Sequence, residues 1–261
     1  MVARVWIGIA LTMVLACSSR AWSYEADVHF SLTYALCKAS GYHDSEALAV
    51  ASADEGMDLN ASTRAWPVAS WSFMRKNRLW HAFGRNRSVV LKRRDELWER
   101  AVSAHDLVKL GQFLHFEQDM YSHRRKLGTD WQPYGELLGH VLQGNAPDRI
   151  PYHVELAKEM ARETASYLCR FEAAALNRPP VAVSASDVDH LVDLLAAAYP
   201  RITGRIVVNS KRPTATMPAA SPGWGPADID QVSASLNVPP PSTCTKYRFS
   251  ADGDVISSTS P

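Results

Sequence analysis

One stretch constrains the fold of this chain more than any other: "GQFLHFEQDMYSHRR", residues 111–125. Phe113, Leu114, Phe116 and Met120 sit at helical spacing. His115, Asp119 and His123 lie among them at intervals of four. A helix turns once in about 3.6 residues, so positions four apart stack with a drift of only about 40°. The two imidazoles and the carboxylate therefore form one ridge that starts at a buried face. A buried carboxylate without a partner is costly, and one set between two histidines calls for a cation. The plainer alternative is a pair of His–Asp contacts at i,i+4 on a surface helix.

The chain around this ridge reads as helical up to about residue 200, with no alternating strand pattern and no repeat. "HFSLTYALCKAS" has helical spacing and stops at Gly41, a C-terminal cap. Asp44 is the expected cap of "SEALAVASADEGMD", and Ser88 that of "VVLKRRDELWERAVSA". The ridge helix is expected from about Asp106 to Lys126, and another from about Pro133 to Leu142. A long amphipathic helix should end before Pro179, and a last one, capped by Ser186, at Pro200. "TRAWPVASWSFMRKNRLWHAFGRNR", with Trp66, Trp71 and Trp80, reads as a long connection between them. Beyond residue 205 the chain turns rich in Pro, Ser, Ala and Gly. An extended or partly disordered tail is expected there, with a short β-hairpin around Asp252-Gly253. The expected fold class is all-α: a multi-helix bundle over 24–205, with an irregular tail over 206–261.

Residues 1–23 read as an export address. Arg4 precedes an apolar run from Val5 to Ala16, followed by small residues. Cleavage after Ser23 would leave Tyr24 first. "VLAC" ending at Cys17 offers lipidation instead, although Leu15 is unusual beside such a site. The expected location is periplasmic or secreted, with an outer-membrane lipoprotein as the alternative. Cys37, Cys169 and Cys244 allow one disulfide and one leftover thiol, without fixing the pair. The net charge of +1 gives no global field toward nucleic acid. Charge is uneven, however: ten Lys or Arg lie from Arg64 to Arg100, against only Asp95, Glu96 and Glu99. A solvated helix face and an anion-attracting rim both fit that pattern.

Further His and Asp residues line up with the ridge. They are His29 in "ADVHF", Asp54 and Asp58 in "SADEGMD", His81 in "LWHAFG", and His140 and Asp148 in "GHVLQGNAPD". His and Asp are the usual nitrogen and oxygen ligands of zinc. In its order the ensemble resembles the helical zinc-dependent phospholipase C and single-strand nuclease superfamily, and most nearly an uncharacterised bacterial family related to it. The resemblance spans residues 24 to about 170. It implies two to three Zn²⁺. Asp54, His81, His115 and Asp119 would hold one. His123, His140 and Asp148 would hold a second. His29, Asp119 and the α-amino group of a mature chain starting at Tyr24 would hold the third. Pro147 separates His140 from Asp148, so Asp148 must reach in from a loop, or His153 takes its place.

The function so implied is hydrolysis of phosphate esters, with a phospholipid or another small phosphoester as substrate and metal-activated water as nucleophile. Asp54 and Asp119 are the expected catalytic carboxylates. Glu55 or Asp58 is expected to orient the attacking water, and Glu117 and Glu136 to support ligand imidazoles. Arg124 and Arg125 either contact substrate phosphate or complement a helix C-terminus. The competing reading is a non-catalytic, metal-stapled helical protein or lipoprotein that acts as a binding module.

Overall fold

The computed structural model describes residues 27–65, 70–127, 130–135, 150–203, 236, 238–239 and 245–259. The expected sites His140 and Asp148, Glu136, the leader 1–23 and most of the tail lie outside these residues. Seven α-helices are described: α1 (Thr33–Ala39), α2 (Asp44–Leu59), α3 (Trp71–Trp80), α4 (Arg87–Ala104), α5 (Leu107–Ser122), α6 (Val154–Ala174) and α7 (Ala185–Thr203). Two antiparallel hairpins accompany them, β1 (Arg124–Leu127) with β2 (Asp130–Pro133), and β3 (Lys246–Phe249) with β4 (Val255–Thr259). The fold is the expected multi-helix bundle, and the C-terminal hairpin turns at Gly253 (φ 86°).

Helix α5 is the axis of the bundle, packed against α2, α4 and α6. Its start is fixed by Asp106, whose Oδ1 accepts from the backbone N–H groups of Val108 (2.8 Å) and Lys109 (3.2 Å). His105, in the left-handed region at φ 52°, reverses the chain between α4 and α5. One side of α5 is apolar. Phe113 meets Trp98 of α4 and Tyr167 of α6 at ring separations of 5.1 and 4.6 Å. The opposite side carries His115 and Asp119 and faces α2. Gly111 makes that approach close. A Cβ there would stand 2.4 Å from the Val50 carbonyl oxygen and 2.9 Å from the Asp54 amide nitrogen.

Several local expectations are corrected. The cap of α4 is Asn86, whose Oδ1 accepts from Val89 (3.1 Å), rather than Ser88, which lies inside the helix and donates its hydroxyl to the same oxygen (2.8 Å). His43 precedes α2, and its N–H donates to Glu46, so Asp44 is the first helical residue. The supposed connection after Arg64 contains α3. The ridge helix ends at Ser122 instead of near Lys126, because the chain turns into β1. β2 occupies the start of the helix expected from Pro133. The last helix continues past Pro200 to Thr203, with the proline in its final turn. Cys37 is buried and free, and Cys169 is also free; Cys17 and Cys244 lie outside the described residues. No described helix is long and apolar enough to cross a membrane.

Candidate metal centre

The segment Asp27–Leu32 ahead of α1 is a π-helical turn in which every residue is buried. Such turns are rare and gather at functional sites. Its His29 faces α2 and α5. Asp54 and Asp58 lie one turn apart on α2. His81 caps the C-terminus of α3, and His115 and Asp119 lie one turn apart on α5. His29, Asp54, His81, His115 and Asp119 are wholly buried.

Five of these side chains surround one small volume. His115 Nε2 is 3.1 Å from His81 Nδ1, 3.4 Å from Asp119 Oδ2 and 3.8 Å from Asp58 Oδ1. His81 Nδ1 is 3.0 Å from Asp119 Oδ2 and 3.6 Å from Asp58 Oδ1. His29 Nε2 is 3.5 Å from Asp119 Oδ1 and 3.8 Å from Asp58 Oδ2. A tetrahedral zinc with ligands at about 2.1 Å holds them about 3.4 Å apart. The donor spacing matches that requirement. Two overlapping sets are compact enough to hold an ion: His29, His115 and Asp119, and Asp58, His81 and His115. Buried His and Asp groups that can hold a metal ion are thus present.

The surroundings fix which ring nitrogen faces inward. His81 Nε2–H donates to the Thr63 carbonyl (2.9 Å), leaving the lone pair on Nδ1. His29 Nδ1–H donates to Gln118 Oε1 (2.9 Å), leaving the lone pair on Nε2. The Gln118 amide donates in turn to Thr33 Oγ1 (2.8 Å), and the Thr33 hydroxyl donates to Asp54 Oδ2 (2.8 Å). Asp54 Oδ1 lies between two Nδ1 atoms, 2.9 Å from His29 and 3.3 Å from His115. Yet neither Asp54 Oδ1 nor His115 Nδ1 makes an aligned hydrogen bond among the described residues. Asp54 therefore sits behind the imidazoles, and Asp58 lies on the lone-pair side, in the position expected of Asp54.

Burial and close opposite charges act on these groups in opposing directions. Burial lowers the basicity of His29, but Asp54 and Asp119 outweigh it and raise its pKa well above the ordinary value. His81 is likewise raised, burial being outweighed by Asp119 and Asp58. Burial pushes Asp119 upward, but His123, His115, His29 and His81 hold it well below the usual carboxylate range. Burial raises Asp58 despite its three histidine neighbours.

Three further candidates, His123, His153 and Glu117, lie outside these two sets. His123 caps α5, stacks on Phe83 at 4.0 Å and turns its Nδ1–H to the His81 carbonyl. Its ring belongs to neither compact set, and its expected partners His140 and Asp148 lie outside the described residues. His153 is exposed and joins neither set. Glu117 does not support a ligand imidazole. It points to α6, where its Oε2 accepts from Thr164 Oγ1 (3.2 Å). The supporting groups are instead Gln118, Thr33 and Thr63. Gln118 sits beside Asp119, but nothing in its sequence position marks it as a partner for a residue 89 positions earlier.

Arg124 and Arg125 lie on β1, just past the end of α5. Arg124 stacks over Tyr121 (4.2 Å) and pairs with Glu159. Half of the ten residues of the basic stretch are in these ion pairs: Arg75 with Asp252, Arg87 with Asp130, Arg93 with Glu96, Arg94 with Asp95 and Arg100 with Asp254. Trp71 is exposed and Trp80 is buried. No protein-family model matches this chain, and searches among curated proteins and solved structures find no match either.

Proposed function

We propose that the chain is an exported zinc-dependent hydrolase of phosphate esters. The observation that carries the reading is the ring of five inward-facing donors at 3.0–3.8 Å, set on four separate elements, with four of the donors wholly buried and only Asp58 touching the surface. Asp58, His81, His115 and Asp119 would hold one ion. His29 and the second oxygen of Asp119 would contribute to another, and His123 to one completed by His140 and Asp148. Bound zinc supplies a water acidic enough to ionise near neutral pH and neutralises charge on a phosphoryl group.

The chain's own residues do the positioning. Thr63 and Gln118 set the tautomers of His81 and His29. Asp54 sets its carboxylate behind the Nδ1 atoms of His29 and His115, at 2.9 and 3.3 Å. Asp119 presents its two oxygens to different histidines, so it fixes their separation. Glu55, buried next to Asp54, has its acidity weakened by burial and by Asp58; a carboxyl kept protonated there would donate rather than accept a proton.

A second reading is favoured by the burial itself. A structural metal site is closed by protein ligands, whereas a catalytic one keeps a position open to water. In that reading the metal staples the bundle and the chain is a binding module. Elemental analysis of the purified mature chain, followed by assay on a chromogenic phosphodiester, separates the two. Two or three zinc ions with turnover abolished by Asp119→Asn support the hydrolase. One tightly held zinc without turnover supports the staple. Less than one equivalent of metal refutes both.

A further inference from the structure

The C-terminal hairpin is bound to the metal-site helices at several points. Trp80 Nε1–H donates to the Ala251 carbonyl (3.2 Å), and Trp80 immediately precedes His81. Gln112 Nε2–H donates to the Gly253 carbonyl (2.6 Å), and Gln112 lies one turn before His115. Gly253 rests on the Trp80 ring so closely that a Cβ there would be 2.4 Å from Trp80 Cη2. Phe249 is buried over Gly56 of α2, two residues before Asp58. The Asn60 side-chain amide donates to the Tyr247 carbonyl (3.2 Å), and Ser62 Oγ to that of Phe249. Thr63, next in sequence, accepts from His81.

One hairpin thus touches residues within one to three positions of His81, Asp58 and His115, which come from three different helices. We infer that the hairpin is a clasp that positions the metal donors, with Gly253 and Trp80 as its positioning residues. Metal affinity is then set partly by residues more than 100 positions from the last donor on α5. The inference rests on the metal-site reading above.

The test uses the full chain carrying Gly253→Val, which drives the turn off Trp80. Leu195→Ala is the control, since Leu195 is a buried core residue of α7 outside the cluster. Zinc affinity is measured by competition with a chromogenic chelator, well below both melting transitions. Gly253→Val should weaken binding about 10–100-fold, as loss of outer support does, while Leu195→Ala stays within about twofold at a similar loss of Tm. Equal affinities in the two variants would overturn the clasp. If wild type binds no zinc, the metal reading fails by itself. The clasp is then judged on metal-free protein by the Nε2–H resonance of His81. Its loss or shift in Gly253→Val, with retention in Leu195→Ala, upholds the positioning role, and an unmoved resonance refutes it.

Discussion

Gly111→Ala tests the packing that builds the site. The added methyl would meet the Val50 carbonyl oxygen at 2.4 Å, Ala53 Cβ at 2.7 Å and the Asp54 amide nitrogen at 2.9 Å. Non-bonded contacts settle at about 3.5 Å, so α5 must retreat from α2 by roughly 1 Å. No rotamer change relieves this, because two of the three atoms are backbone. Alanine gains about 1 kcal/mol of helix propensity over glycine. Overpacking costs about 1–3 kcal/mol, and the rigid opponent puts this case at the upper end. The expected net loss is about 1–2 kcal/mol, or roughly 2–8 °C in Tm at this chain length. The retreat also separates Asp54 and Asp58 from His115 and Asp119, so zinc affinity should fall by about tenfold or more. Thermal melts with and without zinc, and chelator competition, read both effects. Gly135→Ala is the control, since nothing lies within 4 Å of a Cβ there. A Gly111→Ala protein that melts no lower than wild type and binds zinc as tightly would refute the argument.

Asp119→Asn should cost at least about 100-fold in zinc affinity, more than an outer partner does, because Asp119 faces both compact donor sets; titration calorimetry reads it, and retention of wild-type affinity would remove Asp119 from the site. The raised pKa values of His29 and His81 make stability of the metal-free chain depend on pH. That contribution is fully present below the unfolded value of about 6.5 and is lost as pH rises through the folded values. The metal-free Tm should therefore fall as pH rises past neutrality, and zinc affinity should keep rising over the same range; an affinity already level at pH 7 contradicts this. Glu117 is raised well above the ordinary value by burial and by Glu163. The unfolded chain ionises this carboxyl from about pH 4.5 upward, so its burial costs stability from there on. Glu117→Gln should thus raise Tm at pH 8 and leave it nearly unchanged at pH 4.5. A melt series across pH checks the sign.

How much of this was legible from sequence depends on what kind of physics fixed each feature. The helices follow from apolar spacing, and the ridge on α5 follows from the helical period, so both could be read residue by residue. Helix α3 is not legible because Trp71–Trp80 is rich in Arg, Lys and Trp and lacks a clear apolar stripe. β1–β2 is not legible because four-residue strands leave too short a pattern. His29, His81, His115 and Asp119 could be read together, since a row of His and Asp among apolar residues demands a partner; the structure gathers them in groups that could hold an ion. Their individual roles could not be read. Asp54 and Asp58 are four apart and lie on one helical face, so periodicity treats them alike. What distinguishes them is how α5 lies across α2, and that is decided at Gly111, where the absent side chain lets the backbones meet beside Asp54. Asp54 is thereby placed against the Nδ1 side of His29 and His115, and Asp58, one turn on, against their Nε2 side. The same contact explains why Gln118 and Thr33 escaped notice. They support His29 and Asp54 only after two helices and a π-helical turn have been brought together, and each is an ordinary polar residue until then.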